Sequence, residues 1–169
     1  MSAPKKIQFS IDLDFDLELD FVLVGISSAL RDYRLCHFIN KNTGLLFVRG
    51  KENYLDHKGY RKLKDQDEMD FHIIFEKNRK KETTKQHFAT YRYCDSNFEF
   101  EYYILNNKSL EGGLLIPELS NFDYFLLIKH FIDQDDLKAL LSDINRINEV
   151  LLLKELDPTL LKSKENLIF

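Results

Sequence analysis

Apolar and polar positions along the chain repeat one strand–helix–strand pattern. Its first copy begins at Asp20 and Phe21, continues through a helical pattern near residues 29–41, and ends on apolar residues 45–48. A period of about 3.6 residues indicates the helix, and the short apolar runs on either side indicate buried strands.

The second copy has the same layout about one hundred residues later. It begins at Asp123 and Tyr124, continues through a helical pattern near residues 134–147, and ends on the apolar run 150–153. Two β-α-β units with antiparallel strands between them predict one sheet with helices on one face.

Capping residues mark the ends of both predicted helices. Ser27 and Ser28 can cap the first helix because a serine oxygen accepts a bond from an orphaned backbone N–H. Gly44 is expected to end that helix, since glycine readily takes a positive φ. Asp133 is the expected N-cap of the second helix.

The rest of the chain adds strands and loops. Residues 6–21 alternate strictly between polar and apolar, which predicts a strand ending near Asp12 and another beginning near Asp20. Residues 51–68 read as a polar loop and residues 71–75 as a strand. Two aromatic runs, 87–93 and 98–105, flank Asp95-Ser96-Asn97 and predict an antiparallel hairpin. The apolar end of the tail, residues 162–169, is expected to dock on other parts of the molecule.

Together these elements predict an α+β fold, ferredoxin-like in plan. It would consist of two β-α-β units with an inserted antiparallel hairpin, in a mainly antiparallel sheet. A length of 169 residues suits a single domain spanning residues 1–169.

Composition and charge narrow the function classes. A net charge of -4 and a pI near 5.7 argue against a surface built throughout to neutralise phosphates, although a local basic patch remains compatible with them. No apolar stretch approaches the ~20 residues of a spanning helix, and no secretory signal is visible. Cys36 and Cys94 are too few for a zinc site and are expected to be reduced thiols of a cytoplasmic protein.

Residues 116–124 carry a motif: Ile116, Pro117 and Glu118 are followed by three intervening positions, 119–121, and then by Phe122, Asp123 and Tyr124. This segment resembles the signature of the IPExxxVDY family of uncharacterised bacterial proteins, with Phe122 where the family name has Val. Asp32, Tyr33 and Arg34, and the ending at residues 162–169, also resemble that family. The resemblance implies a bacterial cytoplasmic protein and no particular activity.

The motif has a structural and a catalytic interpretation. Pro117 lacks an N–H, so the segment should end a strand or lie at an edge, with Glu118 and Asp123 bonding to loop backbone or pairing with Arg34. An enzyme would instead require Glu118, Asp123, Tyr124 and Arg34 to converge in a cleft. We favour the structural interpretation, since turns also recruit these residue types.

Other chemistry-bearing patterns are weak. Asp12, Asp14 and Asp16 lack the Gly and Glu of a calcium loop, because Leu17 and Leu23 occupy those positions. The histidines show no ligand spacing, and phosphate-loop and nucleotide fingerprints are absent. We therefore expect no metal and no cofactor.

A basic stretch and the aromatic hairpin that follows it together form the candidate interaction surface. Its members are Arg79, Lys80, Lys81, Tyr91, Tyr93, Phe98, Phe100 and Tyr102. RNA-binding sheets of a related plan present aromatic rings on which RNA bases stack. Against RNA binding, the RNP signature is missing here, and aromatic residues of a hairpin commonly pack against each other across its two strands.

We expect a non-enzymatic cytoplasmic interaction or regulatory module. A sheet edge or the aromatic hairpin would dock an unidentified protein partner, and a homodimer is one form of that association. An RNA-associated accessory protein is the alternative, and no membrane contact is expected.

Overall fold

The computed structural model describes residues 19–49, 55–56, 59–60, 70–95, 97, 100–130 and 132–168. These residues form an α+β fold with one six-stranded sheet, a two-stranded ladder and two α-helices. The strands are β1 (Phe21–Ser28), β2 (Leu55–Asp56), β3 (Gly59–Tyr60), β4 (Phe71–Lys77), β5 (Thr83–Asp95), β6 (Phe100–Asn106), β7 (Tyr124–Lys129) and β8 (Val150–Leu156). The helices are α1 (Asp32–Thr43) and α2 (Gln134–Asn145). The predicted strand at residues 6–12 and Asp12, Asp14 and Asp16 lie outside the described residues.

The six strands of the main sheet follow the order β4-β5-β6-β7-β1-β8, and all neighbouring pairs are antiparallel. Leu23 of β1 lies opposite Leu127 of β7 on one side and Leu156 of β8 on the other. Because β7 and β8 both oppose β1, they run parallel to each other and α2 connects them. The first strands of the two repeated blocks are therefore neighbours in one sheet.

The prediction of a strand at residues 45–48 is wrong. Only Val48 forms an isolated bridge, with Arg92 of β5. The side chain of Asn40 instead accepts from the Phe47 N–H at 2.8 Å and donates to the Phe47 carbonyl at 3.0 Å. A helix side chain thus satisfies backbone groups that a neighbouring strand would otherwise pair. The first block is consequently not a β-α-β unit closed by residues 45–48.

The two helices differ in how closely they match their predicted ends. β1 continues through Ser28, so α1 begins at Asp32 with Arg31 as an N-cap that makes no side-chain capping bond. The predicted serine cap is therefore wrong, whereas Gly44 does end α1 with φ 74°. Asp133 caps α2 as predicted, accepting from the Asp135 N–H at 2.8 Å.

The aromatic hairpin is present. β5 and β6 pair antiparallel with Tyr93 opposite Tyr102, and β4 adds a further strand outside β5. The hairpin is longer than predicted on its first strand because β5 also pairs with β4 over residues 83–89.

Alternating side chains give the sheet two apolar faces, and each is covered differently. Both helices pack on one face, where Leu35, Ile39, Leu137 and Ile144 meet Val24, Ile104 and Leu126. On the other face, Leu115, Ile116, Phe122 and Leu167 cover Leu23, Tyr103, Phe125 and Leu127. We call these the helix face and the loop face. Burial of both faces is the main source of stability expected for this fold.

Candidate functional site

Glu118 of the motif binds the C-terminal segment. The residue lies in the short 3₁₀ helix Pro117–Leu119, and its two carboxylate oxygens accept from the Ser163 N–H at 2.8 Å and the Ser163 hydroxyl at 2.9 Å. Although burial acts to raise the pKa of Glu118, the hydrogen bonds from Ser163 outweigh it and lower that pKa. Glu118 therefore acts here as a fixed acceptor that anchors the tail.

Asp123 and Tyr124 bind a different part of the chain, the turn between β1 and α1. The Asp123 carboxylate accepts from the Ser28 N–H at 2.8 Å and from the Ser27 hydroxyl at 3.3 Å. The Tyr124 hydroxyl donates to the Leu30 carbonyl, and burial, together with Asp32 and Asp123, raises the Tyr124 pKa. Both side chains fix the approach to α1.

Asn107 organises the motif loop and is not among the site residues that the sequence predicts. Its side-chain amide donates to the carbonyls of Leu119 and Phe122 at 3.1 and 2.9 Å, while its oxygen accepts from the Ile116 N–H at 2.9 Å. Asn107 itself is buried. The only signal in the sequence is an Asn directly after an aromatic strand, a pattern too common to single it out.

Asp32, Tyr33 and Arg34 do not complete a site with the motif carboxylates. They lie in the first turn of α1, where Tyr33 and Arg34 are exposed. In the described part of the chain, Arg34 forms no ion pair with Glu118 or Asp123, which are themselves bonded to separate segments. A cavity of about 390 Å³ does adjoin Asp123 and Tyr124, but Glu118 and Arg34 are not in its lining.

The basic residues of the candidate interaction surface form an exposed turn. Arg79, Lys80 and Lys81 connect β4 to β5, and Asn78 holds the turn by accepting from the N–H groups of Lys80 and Glu82. Lys81 takes a left-handed conformation with φ 63°.

The aromatic residues of that surface pack mainly inward. Tyr91 and Tyr102 are buried in the helix face, with Tyr93 and Phe100 partly buried beside them. The Tyr93 and Tyr102 ring centroids lie 5.7 Å apart, and those of Phe100 and Tyr102 lie 6.3 Å apart. The expected aromatic surface is therefore largely core, and Phe98 lies outside the described residues.

One open cavity nevertheless reaches the hairpin. Its volume is about 440 Å³, and it lies between the C-terminal end of α1, the outer side of α2 and the ends of β5 and β6. Its apolar lining comprises Leu45, Phe100, Tyr102, Ile132, Ala139 and Leu140, and its polar lining comprises Thr43, Asp95, Asp133, Asp136 and Asp143. We call this cavity the acidic groove.

The acidic groove is only partly foreshadowed by a pattern in the sequence. Asp133, Asp136, Ala139, Leu140 and Asp143 recur at helical spacing on one side of α2, which is a local signal. Asp95 and Phe100 come from the distant hairpin, so only the tertiary structure brings these acidic and aromatic groups together.

The free edge of β8 is a second feature of the surface. β8 pairs with β1 on one side, and the structure describes no strand on its other side. Leu151 and Leu152 are exposed to 74% and 42%. Exposed leucines on a strand whose outer backbone groups pair with none of the described residues form a template for pairing with another chain.

The described residues contain neither a metal-ligand cluster nor a candidate membrane-spanning helix. No cluster of three or more His, Cys, Asp or Glu side chains there could hold a metal ion. No helix there has both the length and the hydropathy that crossing a membrane would require.

Comparison with protein-family models, curated proteins and solved structures finds no match to this chain. The site is therefore interpreted from its geometry.

Proposed function

We propose that the protein is a non-enzymatic interaction module that associates through the free edge of β8, with a second copy of the chain as its partner. The observation that carries this proposal is an edge strand bearing two exposed leucines. Association through the same edge on both copies would give an isologous dimer, the commonest closed oligomer.

The opposite edge of the sheet is a weaker candidate. β4 ends in Glu76 and Lys77, both exposed, and charged side chains protect an edge from pairing. In β8 the stretch from Val150 to Leu153 carries no charge. Antiparallel pairing of two β8 strands centred on Leu153 would set Lys154 of one copy opposite Leu152 of the other, so no like charges would meet along the strand.

The native protein should sediment with twice the monomer mass of 20.1 kDa at micromolar concentrations. The double variant Leu151→Lys, Leu152→Lys should sediment as a monomer, because its edge would repel itself and lose apolar contact. The control is Leu160→Lys, which makes the same type of substitution, with one added charge, at a leucine that is 80% exposed and lies off the edge. A native protein that stays monomeric up to the highest concentration would contradict the proposal.

The RNA-associated alternative is favoured by the exposed turn of Arg79, Lys80 and Lys81. It is weakened by the packing of the hairpin rings into the helix face, which leaves few rings for bases to stack on. Titration of a fluorescent RNA distinguishes this alternative from the protein-interaction module. Salt-dependent binding that is lost when all three residues become Glu would favour the alternative.

We also propose that the fold is ferredoxin-like in plan and that the chain is a cytoplasmic bacterial protein of the IPExxxVDY family. The strand order β8-β1-β7-β6 supports the plan because β1, which precedes α1, lies between β7 and β8, the two strands that flank α2. The family proposal rests on Ile116, Pro117 and Glu118 with Asp123 and Tyr124. The non-enzymatic part is supported by Glu118 and Asp123 being bonded to different segments.

A further inference from the structure

The acidic groove combines an apolar, aromatic floor with a negative rim. Phe100 and Tyr102 meet at the floor with their rings inclined by 78°. Leu45 and Leu140 add aliphatic surface. Such a floor can take the apolar stem of a long side chain, and ring faces attract a cation placed over them.

The rim carries four carboxylates. No lysine or arginine belongs to the groove lining among the described residues. Asp95 and Asp133 accept backbone N–H bonds from Asn97 and Asp135, which leaves their negative charge in place. Asp143 pairs with the exposed Arg146 at 2.9 Å, whereas Asp136 has no ion pair in the described structure. Of the four carboxylates, only Asp143 has an ion-pair partner in the described structure, so the groove keeps a net negative charge.

The raised pKa of Tyr102, which lies in the floor of the groove, agrees with this negative charge. Burial, followed by the nearby charges of Asp95 and Asp136, raises the pKa of Tyr102. The carboxylates thus act on the same space that the aromatic rings line.

We propose that the acidic groove binds an arginine side chain that a protein partner presents between apolar residues. The inference rests on the proposed interaction function, but it assigns a second surface, remote from the β8 edge, and a different partner. Charge complementarity selects a cation. Arginine is favoured over lysine because its planar guanidinium can stack on an aromatic ring and donate to more than one carboxylate at once.

The size of the groove is consistent with this occupant. A volume of about 440 Å³ lies within the range of sites that enclose a side chain or a small ligand. A phosphate-bearing ligand would meet four carboxylates, so nucleic acid is excluded from this surface by charge.

The test is an NMR titration of the native chain with the capped peptide acetyl-Ala-Leu-Arg-Leu-Ala-amide. Backbone amide signals of Asp136, Ala139 and Leu140 should shift and saturate. The same peptide with citrulline in place of arginine keeps the shape and loses the charge, and it should bind about tenfold more weakly, because charge-assisted hydrogen bonds are the stronger ones.

A matched pair of variants locates the site. Asp136→Asn should weaken peptide binding several-fold, whereas Asp135→Asn makes the same change of charge one residue away, at an exposed carboxylate that lies outside the groove. Phe100→Leu should also weaken binding through loss of the ring face.

Four results would overturn the proposal. They are absence of saturable shifts at millimolar peptide, equal binding of the citrulline peptide, equal losses in Asp136→Asn and Asp135→Asn, and saturation of the same signals by free spermidine at the affinity of the peptide. The sedimentation measurement separates this outcome from the proposed dimer. If the native protein is a dimer but the peptide does not bind the acidic groove, only the proposed arginine site is rejected. If the protein is a monomer that binds the peptide, only the proposed dimer through the β8 edge is rejected.

Discussion

At the scale of single residues, Asn107 shows how one buried side chain determines the course of a loop. It bonds three backbone groups of residues 116–122 and thereby holds Ile116 and Phe122 against the loop face. The sequence motif contains only the loop residues of this arrangement. Their partner Asn107 lies ten residues or so earlier in the chain.

We expect Asn107→Ala to destabilise the protein by roughly 2–4 kcal/mol, because it leaves buried backbone donors and acceptors without partners. Urea denaturation followed by circular dichroism measures the change in the free energy of unfolding. Asn121→Ala, at an exposed position of the same loop, is the control and should stay within about 0.5 kcal/mol of the native value. Equal effects of the two substitutions would contradict the role given to Asn107.

The motif was predictable as a turn, but the identity of its bonding partners was not. Pro117 and the polar residues after it indicated the end of a strand; the segment is instead the 3₁₀ helix Pro117–Leu119, and the preceding strand of the described structure, β6, already ends at Asn106. Of the two predicted kinds of partner for Glu118 and Asp123, loop backbone and Arg34, the structure has the backbone: the N–H groups of Ser28 and Ser163 donate to these carboxylates. Backbone N–H groups carry no signature in a sequence, so the particular donors could not be inferred.

At the scale of elements, the segment after β8 acts as a cover for the loop face. Leu167 is fully buried there, and the Asn166 side chain donates to the Leu115 carbonyl at 2.9 Å. The His72 ring donates from Nε2 to the Asn166 carbonyl at 2.7 Å, and burial lowers the pKa of His72. The expected docking of the tail is confirmed over its described residues.

Leu167→Ala should cost about 2–5 kcal/mol, since it removes buried methyl groups and leaves a cavity between the tail and the sheet. Thermal and urea unfolding both report the loss. Ile168→Ala, one residue later at a side chain that is 45% exposed, should cost clearly less. If the two variants were equally stable, the tail would not be a structural cover.

At the scale of the whole molecule, a single sheet links the two apolar clusters. Neighbouring residues of each central strand alternate between them, as Leu126 and Leu127 do in β7. If the helices on one face or the loops on the other were lost, the exposed strands would be the same ones against which the remaining face packs.

Unfolding should consequently be a single cooperative transition of one domain. Far-ultraviolet circular dichroism reports the backbone of the helices and the sheet, whereas tyrosine fluorescence reports side-chain packing on both faces, including Tyr103 on the loop face. The two probes should give coincident urea midpoints for the native chain. Separate midpoints would mean that the faces fold independently and would contradict a single domain.

The sequence alone determined the local elements: the positions of β1, β7 and β8, the hairpin, α2 with its Asp133 cap, and the Gly44 end of α1. These follow from periodicity and capping, which depend on neighbours in the chain. Three other features arise from the folded chain: Asn40 replaces a strand partner at Phe47, Asn107 holds the motif, and the hairpin meets α2 in an acidic groove. Those features depend on contacts between residues far apart in sequence, and no local pattern specifies them.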